Sequence, residues 1–210
     1  PYSKHFHIIL AFPNTYYANL EAKGRFENNA AVTKEVALMM DPSADPFAAP
    51  APDADAPIER FGAKDANDLS WANLLNAYTC TECGRCTSEC PANLTGKKLS
   101  PRKIMMDTRD RIEEIGQNIA TNGSFLDDGK SLLGDYITNE ELWACTSCNA
   151  CVQACPVDID PLNIIMKLRN FATMEESSAP GALNAMMTNV ENNGAPWPFN
   201  QMDRANWINE

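Results

Sequence analysis

All eight cysteines of this 210-residue chain fall into two copies of one spacing, CxxCxxCxxxCP. The first copy is Cys80, Cys83, Cys86 and Cys90 before Pro91, and the second is Cys145, Cys148, Cys151 and Cys155 before Pro156. Such a chain must fold around whatever these thiols hold. Three thiolates two residues apart let a tight backbone turn wrap three corners of a small polynuclear centre. The proline then fixes φ and removes an N–H, so the chain leaves in a set direction with the fourth cysteine pointing away from its neighbours.

The spacing matches the bacterial iron–sulfur run, in which three cysteines close on one cubane and the fourth ligates the other. Two [4Fe-4S] clusters with crossed ligation are therefore expected: Cys80, Cys83, Cys86 and Cys155 on one, and Cys145, Cys148, Cys151 and Cys90 on the other. Structural zinc would favour well-separated CxxC pairs with four ligands per site, whereas here a third cysteine follows at the same interval. A disulfide framework is disfavoured, because cysteines two residues apart are poorly placed to pair and small secreted scaffolds are shorter than this chain. Cysteine usage thus argues for a reducing, cytoplasmic compartment.

At 44% hydrophobic residues the chain can build one or two small domains. Its 17 basic and 28 acidic residues give a net charge of -11, which argues against non-specific binding to nucleic acid or anionic lipid. The longest apolar stretch, Phe6 to Phe12, is far too short to span a bilayer, and no signal-peptide pattern is present. GxGxxG, P-loop, GxSxG and HExxH motifs are absent, so no independent catalytic site is expected in this fragment. A chain opening on Pro1 is expected to be a piece of something longer.

Between Asp41 and Pro57 the sequence DPSADPFAAPAPDADAP shows neither helical nor strand period, and residues 41–66 are expected to form an extended linker between an N-terminal piece and the cysteine region. Beyond it, Asn67 or Asp68 is expected to cap a helix through Leu69, Trp71, Leu74, Leu75 and Tyr78 into the first cysteine. Ser100-Pro101 starts a second helix, with Ile104, Met105, Ile112, Ile115 and Ile119 near helical spacing. Thr138 to Glu141 is a capping box for a short helix into the second cysteine run. Leu162, Ile165, Met166, Leu168 and Phe171 mark a fourth helix after Pro161, and Ala182 to Val190 a fifth. A small βαββαβ ferredoxin would show β-branched alternation around its cysteines. Here capped helices flank both runs, so the expected fold is mainly α, an α-helical ferredoxin of residues 67–175 with extended N- and C-terminal segments.

The stretches CPANLTGKKLSPRKIMMDTRD and LWACTSCNACVQACPVDIDPLNIIMKLRN resemble the helical two-cluster ferredoxin domain of heterodisulfide-reductase C-type subunits, with similar domains in the iron-sulfur subunits of succinate dehydrogenase and glycolate oxidase. NNGAPWPFNQMDRANWINE, within residues 176–210, is similar to the segment that precedes cysteine-rich CCG domains in fused members. PYSKHFHIILAFPNTYY, within residues 1–40, resembles the cytoplasmic end of the last membrane helix of nitrate-reductase gamma-type cytochrome b modules. The resemblance implies a parent polypeptide at the cytoplasmic face of the inner membrane, ordered as membrane cytochrome, linker, helical ferredoxin and CCG domains. It also implies a haem b ligand at His7, since Pro1, Tyr2, Ser3, Lys4 and His7 fit P-[FY]-[ST]-[RK]-x-x-H. A structural histidine is the alternative, and His5 is the weaker candidate ligand.

Outside the cysteines, the basic residues Lys97, Lys98, Arg102 and Lys103 read as a solvated helix start or a docking patch for an acidic redox partner. Met105-Met106 and Met186-Met187 read as core filling or partner contacts, and Trp143 as a shield for a cluster. The expected function is one-electron transfer through two clusters, between a quinone or haem site and a catalytic domain or a donor such as electron-transfer flavoprotein or another flavoprotein. A metal-stabilised docking module without redox cycling is the alternative from a different class.

Overall fold

In the computed structural model, residues 5–22, 25, 28–41 and 60–208 are described. The chain divides into two compact units, Pro1–Glu175 and Glu176–Glu210. Among the described residues there is no strand, only an isolated bridge between Leu133 and Ile137, so the mainly α fold class holds. Most of the expected linker, residues 42–59, lies outside the described residues, as do Pro1, Tyr2, Ser3 and Lys4 of the haem-ligand pattern.

The first unit is centred on two helices that proline and a side-chain cap start cleanly. In α6 (Pro101–Asn122), Ser100 accepts the Lys103 amide, Pro101 sits in the first turn, and Gly123 ends the helix at φ 80. Its inward face carries Ile104, Met105, Thr108, Arg111 and Ile115 at spacings of one, three and four residues. In α9 (Pro161–Met174), the Asp160 carboxylate accepts the Asn163 amide at 2.9 Å, and Leu162, Ile164, Ile165, Leu168, Phe171 and Ala172 are buried. These two helices pack together, and Ile104, Leu132, Ile137, Leu142, Ile164 and Leu168 form the fully buried centre of the core.

Shorter helices lead into the cysteines. The first, α3 (Trp71–Thr79), ends at Cys80, and α7 (Asn139–Ala144) ends at Cys145. The capping box of α7 forms as its sequence predicts, with Glu141 accepting the Thr138 amide at 2.9 Å. The cap of α3 differs from expectation. Asp68 accepts the amides of Lys64 and Asp65, closing a 3-10 turn over Ala66–Asp68, so Leu69 is extended and Ser70 caps the helix instead. Residues 60–65, assigned by composition to the linker, lie against α9: the Ala63 amide donates to the Lys167 carbonyl at 3.1 Å, and Phe61 and Gly62 both donate to Glu175.

Arg111 ties three separated segments together with no exposed surface of its own. Its guanidinium donates to Asp65 at 2.7 Å, to Asp128 at 2.6 Å and to the Lys130 carbonyl at 2.9 Å. Paired this way its own pKa is driven further up, and the Asp128 carboxyl is held down at about 2 by the guanidinium.

N-terminal to this body, α1 (Phe6–Tyr16) packs against α3 and carries Pro13 in its interior. The helix α2 (Ala30–Met40) is capped by Asn29, whose side-chain amide also donates to the Phe61 carbonyl. In the second unit, α10 (Gly181–Asn193) is longer than the expected 182–190 and is followed by a 3-10 stretch, Gln201–Ile208.

Candidate metal centre

The two cysteine runs adopt one backbone conformation twice. Two residues after the first cysteine of each run, Glu82 and Ser147 both have φ 58, and two residues later Gly84 and Asn149 have φ 82 and 59. Non-glycine residues rarely adopt this left-handed conformation, and its recurrence at equivalent positions marks a shape imposed on both runs. The turn aims amides at sulfur: the Ser147 N–H donates to Cys145 Sγ at 3.4 Å, and the Glu82 amide does the same for Cys80. Each run then makes one short helix, α4 (Arg85–Ser88) and α8 (Ala150–Gln153), which lie against each other. After the first run Pro91 begins α5 (Pro91–Leu94); after the second, Pro156 begins a turn through Asp158 at φ 54.

This pseudo-symmetry interleaves the runs around two cavities. One, of about 70 Å³, is lined by Cys80, Cys83, Cys86 and Cys155 and also by Cys151, which lines the second cavity too. A second, tighter cavity is lined by Cys90, Cys145, Cys148 and Cys151. Each fourth cysteine therefore stands beside the other run's first three. Charge coupling between thiols largely tracks this grouping: Cys80 and Cys86 each sense Cys155, and Cys145 senses Cys90 and Cys148, while Cys151, on both cavities, senses Cys145 and also Cys86.

Burial is the main influence on four of these thiols. It pushes Cys80, Cys86 and Cys145 up, and Cys151 up to about 12. Cys83 is exposed, and the Arg85 amide donating to it pulls its pKa down. Buried thiols of this kind would bind metal as thiolates, releasing their protons to solvent as the metal enters. Cavities walled by thiols of both runs, with amides aimed at sulfur and little else polar, fit iron–sulfur cubanes. Among the described residues, no three His, Cys, Asp or Glu side chains converge as closely as a single metal ion needs. A cubane places its four thiolates on separate iron corners and so holds them further apart. Near the second run, Trp143 is half-buried and its indole N–H has no hydrogen-bond partner among the described residues.

Other residues singled out by sequence divide between the site and its surroundings. Met105 is buried in the core and lines the first cavity, whereas Met186 and Met187 are exposed on α10. The basic group does not act as one patch: Lys98 pairs with Glu140 at 2.6 Å and Lys103 with Asp107 at 2.7 Å and Glu141 at 2.9 Å, while Arg102 borders the first cavity and Lys97 is exposed. His7 is half-buried in the first turn of α1 and lines neither cysteine cavity; His5 precedes the helix and is exposed. Sequence reasoning missed Arg109 and Arg169, which approach the first and second runs respectively. Each lies on a helix remote in sequence from the thiol that it faces, so spacing alone carried no signal for either.

Residues 79–159, which include all eight cysteines, match the 4Fe-4S dicluster domain. The "Probable iron-sulfur-binding oxidoreductase FadF" of Bacillus subtilis is 30% identical, covering 100% of this chain and 31% of that protein. The "EtfAB:quinone oxidoreductase" of Syntrophomonas wolfei is 31% identical, covering 72% of this chain and 24% of that protein. The C-type subunit of the ferredoxin/F(420)H(2)-dependent CoB-CoM heterodisulfide reductase of Methanosarcina acetivorans is 31% identical, covering 52% of this chain and 54% of that protein. The chain thus spans less than a third of the first two relatives. It carries a 4Fe-4S dicluster domain distantly related to heterodisulfide-reductase C-type and ferredoxin-like oxidoreductases.

Proposed function

We propose that this chain is the electron-carrying segment of a larger membrane-associated oxidoreductase. In this reading Cys80, Cys83, Cys86 and Cys155 hold one [4Fe-4S] cluster, and Cys145, Cys148, Cys151 and Cys90 hold the other. The observation that carries it is the pair of cavities, each walled by thiols of both runs. Bound there, the two clusters supply reversible one-electron carriage over the short distance between the cavities. The protein's own work is to hold the thiolates, donate amides to sulfur and keep water away from the buried positions.

The printed name of the Syntrophomonas relative joins EtfAB to quinone. We infer partners of the same two kinds: a flavoprotein donor, such as electron-transfer flavoprotein, and a quinone or haem site of a membrane cytochrome, with CCG domains in the same parent. His7 would be an axial haem ligand only with walls contributed by that membrane domain.

The test is the content of iron, zinc and acid-labile sulfide in anaerobically prepared protein, with an EPR spectrum after dithionite reduction. About eight iron and eight sulfide per chain with interacting S = 1/2 signals is the expected result. Zinc without sulfide would overturn electron transfer and leave a structural metal module.

A further inference from the structure

Arg169, on α9, is a half-buried cation that faces backbone oxygens and no carboxylate among the described residues. Its Nη2 donates to the carbonyls of Cys145 at 2.6 Å and Leu142 at 2.8 Å, and its Nη1 to the Ser147 hydroxyl at 3.4 Å. The guanidinium also lies 4.9 Å from the centre of the Trp143 ring. A half-buried charge is costly unless something nearby carries the opposite sign. The ionisable group that senses Arg169 is Cys145, a thiol of the second run.

The first run places a cation similarly but pairs it with a carboxylate. Arg109 acts on Cys80, yet Glu82 binds its guanidinium at 2.6 Å. Glu82 and Ser147 occupy the same place in the two runs, two residues after the leading cysteine and at the same φ. There the first run has a carboxylate and the second a hydroxyl, so Arg169 faces the second run's sulfur without a carboxylate beside it among the described residues. Of the other groups, Arg85 and Arg102 near the first cavity are exposed and screened by solvent, while Asp160 acts on Cys151 in the opposite sense.

We propose that Arg169 is the fixed counter-charge of the cluster held by Cys145, Cys148, Cys151 and Cys90 and raises its reduction potential. This rests on the electron-carrying reading above. Reduction adds one electron, [4Fe-4S]²⁺ to [4Fe-4S]⁺, supplied by dithionite in the laboratory and by the flavoprotein or quinol partner in function. No bond breaks and no proton moves, while the charge of the cluster with its four thiolates goes from -2 to -3. A nearby positive charge therefore favours the reduced form by one additional unit of charge interaction.

An EPR-monitored redox titration of the cluster-loaded chain tests this, comparing wild type with Arg169→Gln, Arg169→Lys and Thr173→Glu. The last leaves Arg169 in place and sets a carboxylate one helical turn away. Arg169→Gln and Thr173→Glu should each lower one of two one-electron steps by tenfold or more in its equilibrium constant, about 59 mV. That step should be the one altered by Cys148→Ser, and Arg169→Lys should largely retain the wild-type value. Two unshifted steps at full iron content in either neutralising variant would overturn the proposal, as would an Arg169→Lys shift as large as that of Arg169→Gln. Absence of iron and sulfide from the wild-type chain would instead overturn the electron-carrying reading.

Discussion

The side-chain amide of Asn14 donates to the backbone carbonyl of Val157 at 2.8 Å, joining α1 to the turn just beyond Cys155. Asn14 is 4% exposed, so the bond is shielded from water. Asn14→Ala would leave the Val157 carbonyl without this donor, at a cost of about 1–3 kcal/mol. Hydrogen exchange should show faster exchange across α1 with little change in α9.

Exchanged fourth cysteines make a specific prediction about damage. Cys155→Ser should impair the cluster bound by Cys80, Cys83 and Cys86, and Cys90→Ser the cluster of the second run. Iron counts and EPR of each variant would check this. Loss that followed the nearer run in sequence would rule out crossed ligation.

Arg111→Met would leave Asp65 and Asp128 without their shared cation. Breaking a buried pair from one side costs about 3–5 kcal/mol, with the low end expected because both carboxylates are partly exposed. Asp128 titrates at about 2 in the fold against about 3.9 in an unfolded chain. Its contribution is therefore complete above the unfolded value and disappears only as pH falls toward 2. The loss in Arg111→Met, read from urea midpoints, should be the same at pH 5.5 and pH 8.

Gly62 allows the chain to run against α9. A Cβ there would lie 2.6 Å from the Lys167 carbonyl oxygen and closer still to the Phe171 amide nitrogen, both backbone atoms that cannot swing aside. Gly62→Ala should destabilise by about 1–3 kcal/mol or more, seen as a lower melting temperature and weaker protection of the Ala63 amide.

Glu82→Gln should release the charge of Arg109 toward the first run. The step not governed by Arg169 should then rise in potential, and the same redox titration reads it. No rise with both clusters present would mean that Arg109 is already screened.

The sequence was most legible where structure is decided locally. Pro101 and Pro161 start their helices, Thr138 and Glu141 close a box four residues long, and repeated cysteine spacing sets two similar turns. It was least legible where partners are far apart in the chain. The Asp68 carboxylate serves amides at 64 and 65, which shifts the cap of α3 to Ser70. Arg111 looks like one more charge on a polar helix until Asp65, 46 residues away, and Asp128 are seen to enclose it. Lys98 and Lys103 looked like parts of a basic patch because Glu140 and Glu141, which bind them, sit on another helix.

Interleaving the two runs also constrains how such a domain can come into being. Cys80, Cys83 and Cys86 leave the ribosome well before Cys155, which stands beside them in the folded chain. A nascent chain stopped short of the second run would present four thiols and no finished cavity. Under crossed ligation a chain cut before the second run holds the full ligand set of neither cluster. With ligands exchanged in this way, metal delivery would act on the whole domain, and a premature stop would yield bare thiols rather than a shorter wire.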